Sequence, residues 1–452
     1  MSALRSSSSL VTVALLCACG LERVSPEATA LVDTRVGGQL DTGFGSEGRI
    51  LEALGTTRDD AWDTALLPDG GVVLAGNSFA SSSIDVGIMK LTPNGGDDPG
   101  FGTSLTGTVT VPSAGDENTC GVSVIGDKII TAGSRGTFPY FSSVYVARFH
   151  FNGALDAGFG GGGVFLGNVS ADIVTTGAHA IGQEFVCQTF ADGNGLKVAG
   201  HARFDDAGGR DVITMRLVDG FLDTTYGDQG VARVDLGGDD RLWRGSYQDT
   251  SGRIPMCVVQ GDPDGPRRIV VARVSADGTL DTSFAGTGSV TFPDAKPNYE
   301  CHGIVVDDAG RVLVAGFEPG GSGDMFLRRF SDDGVLDTAF GDNGLLLIDV
   351  AGGSDAANDL AIDARGRIVV AGQASIAGQA DMAVVRLLDD GALDPTFGNG
   401  GIVTVDVGQQ ARSDIANSIE IDPRGRIVAV GTSIISDGVT PRPVFSGIRL
   451  SP

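Results

Sequence analysis

The chain has 452 residues, 41% of them hydrophobic, 70 glycines, and a formal net charge of -25 from 57 acidic and 32 basic side chains. That charge disfavours nonspecific binding to nucleic acid or anionic lipid headgroups, which repel it, and the apolar content is too high for a disordered chain. Helix-period segments of useful length are absent, and short Val, Ile and Leu runs between Asp-Gly and Gly-Gly turns describe an all-β protein.

Residues 1–18 read as an export signal, with Arg5 ahead of an apolar run from Leu10 to Leu16 that is too short to span a bilayer as a helix. The segment Leu16-Cys17-Ala18-Cys19 resembles a bacterial lipobox, which implies cleavage and lipidation at Cys19. Gly20, rather than Asp, follows that cysteine, so the resemblance implies an outer-membrane lipoprotein of the cell envelope; secretion without lipid is the alternative. Residues 19–36, with Pro26 and many small side chains, are expected to form a flexible tether.

From residue 37 onward one phrase, Leu-Asp-x-x-Phe-Gly, recurs with its aromatic at Phe44, Phe101, Phe159, Tyr226, Phe284, Phe340 and Phe397. The unit is clearest at 357–406, where ANDLAID, GRIVVAG, DMAVVRL, DDGALDPTFG and NGGIVTVDV follow one another. Four short strands joined by tight turns, repeated seven times, predict a seven-bladed β-propeller over 37–452. The last unit ends at Pro452 with three strands, whereas the first phrase is followed by an orphan strand at about 48–53. That strand is expected to complete the last blade and close the ring without a covalent link.

The second strand of each unit ends its apolar run in glycine, at Gly76, Gly133, Gly200, Gly261, Gly316, Gly372 and Gly431, which points to a bend or a close backbone approach. The third strand carries one cation per unit: Lys90, Arg148, Arg216, Arg273, Arg329, Arg386 and Arg449. Each is expected to pair with the aspartate of the following phrase, respectively Asp98, Asp156, Asp223, Asp281, Asp337, Asp394 and, across the closure, Asp41. A planar guanidinium and a carboxylate match through two parallel hydrogen bonds, so the expected role is structural. The phrase aromatics are expected to pack between blades.

The D-G-x-L-D-x-x-F-G phrase at a period near sixty resembles the delta-60 repeat family of bacterial exported proteins, over about residues 37–452. The resemblance implies a propeller-like domain and offers no catalytic residues. Asp97 in place of Leu, Tyr226 in place of Phe and Ala285 in place of Gly depart from the phrase, and residues 237–268 of unit four align worst.

Four further cysteines, Cys120, Cys187, Cys257 and Cys301, are compatible with disulfides in an oxidising compartment or with buried thiols. The histidines His150, His179, His201 and His302 are not spaced as metal ligands, and no nucleophile elbow, HExxH or P-loop is present. Acidic residues before the first strand of several units, Asp60, Asp116, Asp240, Asp355 and Asp414, are candidates for Ca²⁺ ligation, with turn capping as the alternative. No other cofactor is implied. Function divides between a monomeric binding or scaffold module for a protein, peptide or glycan at the envelope, a hydrolase or lyase acting on carbohydrate with acids at the propeller channel, and a purely structural role. Two or three carboxylates converging with a His, Tyr or Arg at the channel mouth would favour the enzyme.

Overall fold

Period-two patterning and frequent turns give only strands among the described residues of this computed structural model. These are 36–452 apart from 55–56, 80–82, 103–106, 112–114, 138–139, 168–183, 205–208, 262–266, 293–298, 319–322, 409–411 and 437–440. The expected signal peptide, the lipidation cysteine Cys19 and nearly all of the tether lie outside them.

The strands form seven antiparallel sheets, the blades of a seven-bladed β-propeller. Strands A to D are named from the channel outward. Blade one is Arg58–Leu66, Val72–Phe79, Ile84–Leu91 and Thr108–Val111, and blade two is Asp116–Ile125, Lys128–Thr137, Tyr140–His150 and Val164–Gly167. Blade three is Phe185–Asp192, Gly195–Arg203 and Arg210–Val218, with Val231–Val234 outermost and a short Phe221–Leu222 pairing beside it. Blade four has only Asp240–Arg241 as a regular inner strand, followed by Ile254–Gly261, Arg267–Val274 and Ser289–Thr291. Blade five is Glu300–Val306, Val312–Phe317, Met325–Phe330 and Leu345–Ile348, and blade six is Asp355–Ile362, Ile368–Ile376, Gln379–Leu387 and Ile402–Val405. Blade seven is Asp414–Ile421, Ile427–Ser436 and Pro441–Leu450, completed by Arg49–Glu52. Arg49 pairs with Ile448 and Glu52 with Phe445, so the N-terminal strand closes the ring.

Strands B and C are covered on both faces by neighbouring blades, which is why they read as nearly continuous apolar runs. Apolar clusters fill the seams between blades. Phe44, Leu74, Val430 and Phe445 meet where blade seven joins blade one, and Phe101, Val86 and Tyr145 meet between blades one and two. Each phrase aromatic is almost wholly buried, which contributes about 1.5–3 kcal/mol apiece relative to exposure.

Six inner strands carry a β-bulge, for example between Ala61 and Asp63 and between Ala357 and Asp359. The bulge drives a strand A carbonyl against strand B. A Cβ at Gly76 would lie 1.9 Å from the Asp60 carbonyl oxygen, and one at Gly372 would lie 1.8 Å from that of Ala356. These glycines fall inside strand B rather than at its end, because the ladder continues through the polar residues that follow the apolar run. The sequence pattern therefore places the close approach but misses the strand's length.

Candidate functional site

The repeated cations and aspartates lie together at the C–D turns. Lys90 Nζ is 2.7 Å from Asp98, and Nε of Arg148, Arg273, Arg329, Arg386 and Arg449 lies 2.7 to 2.9 Å from Asp156, Asp281, Asp337, Asp394 and Asp41 respectively. Arg216 Nη1 donates to Asp223. The geometry is not the expected two-pronged fork. One carboxylate oxygen takes the cation, and the other accepts the amide two residues on, as Asp394 does from Thr396 at 2.9 Å. The remaining guanidinium donors reach the next blade: Arg273 Nη1 donates to the Asp332 carbonyl at 2.6 Å and Arg449 Nη1 to that of Pro93 at 2.6 Å.

The guanidinium also lies over its own phrase aromatic, 4.1 Å from the Phe44 centroid for Arg449 and 4.3 Å from that of Phe397 for Arg386. Burial pushes the Asp394 carboxyl up, but the Thr396 bonds and Arg386 outweigh it and hold it below the ordinary value. None of the seven cations lines the central cavity.

The acidic residues before strand A are largely occupied with the backbone. Asp240, Asp355 and Asp414 each accept the amide of a residue in the preceding D–A connection, Leu236 at 2.8 Å, Val350 at 2.6 Å and Val407 at 2.9 Å. In blade one that position is held by Asp59, which accepts Leu54 N at 2.9 Å, while Asp60 takes Arg58 Nε at 2.6 Å. Asp116 Oδ1 accepts Ile84 N at 3.1 Å. Two of the five sit among other carboxylates, Asp240 with Asp211 and Asp235, and Asp355 with Asp324 and Asp349. Each carboxylate of a trio offers one oxygen close to the other two, and the rest of the roughly six to eight ligands Ca²⁺ takes would come from second carboxylate oxygens, backbone carbonyls or water.

The cysteines pair as Cys120–Cys187 and Cys257–Cys301, joining blade two to three and blade four to five. His201 Nδ1 is 2.9 Å from the Leu242 carbonyl and His302 Nδ1 is 3.3 Å from Asn358 Oδ1. Burial pushes both imidazoles down to about 4, so both are neutral at pH 7. His179 falls outside the described residues.

The inner strands of all seven blades line a central cavity of about 520 Å³. Blade four, whose inner strand is irregular, supplies Arg244, Ser246, Tyr247 and Gln248 to it. Regular pairing is reduced to Asp240–Arg241 and one bridge from Ser246 to Met256, and the bonds from Cys257 N to the Gly245 carbonyl and from Tyr247 N to that of Pro255 keep the segment against strand B. Arg244 reaches across the ring: Nη1 donates to the Asn417 carbonyl of blade seven at 2.6 Å, and Nη2 lies 3.4 Å from Asp63 of blade one.

Three carboxyl groups share the cavity with it: Asp63, Asp359 and Glu420. Asp63 accepts Val122 N of blade two at 2.8 Å and Ser418 Oγ at 2.7 Å, and Asp359 accepts Ile419 N of blade seven at 3.0 Å, so both staple adjacent blades. Glu420 makes no hydrogen bond or ion pair among the described residues. Burial, followed by the charges of Asp63 and Asp359, pushes its carboxyl up to about 8. Burial likewise pushes Asp359 up to about 6, against the pull of Arg244.

This constellation was not picked out by sequence reasoning. The positions equivalent to Glu420 hold Ala65, Ser123, Phe190, Tyr247, Val305 and Ala361, so no motif marks them. The available signal was the poor alignment of residues 237–268, which is where Arg244, Ser246 and Tyr247 lie.

Residues 251–284 and 366–397 match a family described as Domain of unknown function (DUF5122) beta-propeller, so the chain is similar to a propeller repeat family over those stretches. No curated protein matches the chain. Among solved structures, a protein of unknown function from Dyadobacter fermentans is 10% identical with a TM-score of 0.47, covering 89% of this chain and 98% of that one. Sqt1 from Chaetomium thermophilum, bound to the N-terminus of the ribosomal protein L10, is 12% identical with a TM-score of 0.44, covering 89% and 100%. The polysaccharide lyase Uly1 is 11% identical with a TM-score of 0.45, covering 85% and 88%.

Proposed function

We propose that the protein is an envelope-anchored binding module whose ligand seats in the central cavity. One observation carries the reading: the cavity is lined at matching positions of the seven inner strands by side chains that differ from blade to blade, Asp63, Asp359 and Glu420 among them and Arg244, Ser246, Tyr247 and Gln248 from blade four. The repeated residues are committed to turns and seams, so recognition falls to the positions that break the repeat. The test is capture of envelope partners by the tethered protein with crosslinks mapped onto the ring. Crosslinks around the cavity mouth support the reading, and crosslinks confined to the outer strands overturn it. The anchor rests on the Leu16-Cys17-Ala18-Cys19 segment. Labelled palmitate should enter the wild-type chain and not Cys19→Ala; equal labelling of both, or of neither, removes the anchor from the proposal.

A second reading, carbohydrate hydrolysis or elimination by acid–base chemistry, is favoured by the convergence of Asp63, Asp359 and Glu420 with Arg244 and Tyr247. Carboxyls held near 6 and near 8 are suited to base and acid roles. It ranks second because Asp63 and Asp359 already hold the backbone of the next blade, leaving one carboxyl uncommitted. New reducing ends or unsaturated sugars from a polysaccharide panel, lost in Glu420→Gln, would promote it.

A further inference from the structure

The charge around the cavity is unbalanced. Its lining contains three carboxyl groups and one cation, Arg244. That guanidinium is already engaged by the Asn417 carbonyl and lies against Asp63. Arg244 also pulls on Asp359, so among the described residues Glu420 is the carboxyl that faces the space without a cation. Independent of the acids, the blade four segment leaves polar atoms unused: among the described residues Ser246, 7% exposed, makes no hydrogen bond through Oγ, and neither Arg244 Nε nor Gln248 Oε1 has a partner. A buried hydroxyl or amide oxygen without a partner is destabilising; these atoms are closed to solvent, so Ser246 and Gln248 must rotate to offer theirs to a group that enters. Tyr247 and Phe190 add aromatic surface to the same wall, and an aromatic face attracts a cation.

Resting on the reading of the cavity as a ligand seat, we propose that it takes a primary ammonium group on a slender alkyl arm, with Asp359 and Glu420 as the counter-charges, Glu420 releasing its proton to solvent as the ammonium enters, and Ser246 Oγ and Gln248 Oε1 as acceptors. An ammonium offers three donors and no acceptor, which suits carboxylates, a hydroxyl and an amide oxygen. A divalent metal fits less well, because Asp63, Asp359 and Glu420 do not form one of the close carboxylate groups among the described residues. The overall charge of -25 steers such a ligand inward. The groups facing Glu420 come from each side of the ring: Asp63 from blade one, Arg244 and Tyr247 from blade four, and Asp359 from blade six.

The test is calorimetric titration of the full mature chain with pentylammonium, pentanol and pentanoate, which share an arm and differ in charge. Pentylammonium should bind at least tenfold more tightly than either of the others. Glu420→Gln should cost at least tenfold in that affinity while the far-ultraviolet spectrum and melting transition stay cooperative, and Ser246→Ala, which is smaller and uncharged, should cost several-fold. A capped lysine amide distinguishes sources: affinity equal to that of pentylammonium identifies a protein lysine as the ligand group, and loss of affinity identifies a free amine. Equal binding of all three arms, or an unchanged affinity in Glu420→Gln, overturns the ammonium inference while leaving the cavity as a seat. No binding of any arm, with crosslinks still at the mouth, overturns the inference alone; crosslinks elsewhere overturn the seat itself.

Discussion

Arg386 and Glu420 show two opposite fates for a charged residue inside this ring. Arg386 is 1% exposed, yet its Nε meets Asp394 at 2.8 Å and its guanidinium lies over Phe397, so its charge is compensated on two sides. Glu420 has no such compensation, and its folded-state carboxyl rises from the ordinary 4.5 to about 8. A group with a raised folded pKa binds more protons in the native state than in the unfolded state. The stability it supports is complete below about 4.5 and is lost progressively as pH climbs towards 8. Glu420→Gln, which resembles the protonated acid, should match wild type in melting temperature at pH 4 and exceed it by several degrees at pH 9, since a rise from 4.5 to about 8 corresponds to at most about 5 kcal/mol and one kcal/mol shifts the melting of a domain this large by about 2 °C or less. Parallel melting curves at every pH would show that the carboxyl titrates normally. Arg386 was readable in the sequence because its position repeats in every unit; Glu420 was not, because its neighbours around the channel share neither charge nor size.

At the level of the strand, each inner bulge and the glycine opposite it form one device. The glycine could be read from the repeat in the six bulged blades; in blade four Arg273 pairs with Pro255, so the equivalent position is Val258, and Gly261 lies three residues beyond it. The bulge could not, because its residues in the regular blades, Trp62, Cys120, Cys187, His302, Asn358 and Asn417, have no chemistry in common. What they share is a backbone shape, and a backbone shape leaves its mark in the partner strand. This separates two kinds of glycine. A Cβ at Gly372 would collide with the Ala356 carbonyl at 1.8 Å, whereas at Gly366 there is open space but φ is +76°. Gly372→Ala should therefore cost about 3 kcal/mol, at the upper end of overpacking, and Gly366→Ala about 1–2 kcal/mol from the left-handed backbone alone. Urea midpoints compare them directly, and an equal cost would mean that the bulge relaxes and is not held by its neighbours. In blade four the inner strand keeps the ladder register, with Cys257 N bonded to the Gly245 carbonyl at 2.7 Å and Tyr247 N to that of Pro255 at 3.2 Å, so Arg244, Ser246, Tyr247 and Gln248 line the cavity beside the equivalent residues of the other blades.

For the whole molecule, the decisive feature is where the ring is joined. The two incomplete ends of the repeat made the closing strand legible before any geometry was known. The distribution of covalent support was not, because cysteine spacing does not reveal pairing. The disulfides join blades two to three and four to five, so neither crosses the seam where Arg49–Glu52 meets Pro441–Leu450. That seam depends on four-residue pairing, on Phe44 within its apolar cluster and on Asp41 at 2.9 Å from the 3% exposed Arg449. Loss of the N-terminal segment would leave a buried cation unpaired, a change that costs about 3–5 kcal/mol in comparable cases, and would expose strand C of blade seven as an unprotected edge. The ring should therefore open first at this join. Amide exchange at Leu51 and Ile448 should be faster than at strand B amides such as Val314, and reduction of the disulfides should lower the global melting transition while leaving the relative order of these sites unchanged. A chain beginning at residue 54 should self-associate or lose its cooperative transition, and a peptide of residues 36–53 added in trans should restore the monomer. If the shortened chain melts like the intact one and its strand C amides remain protected, blade seven is stable with three strands and the closure adds nothing to the ring.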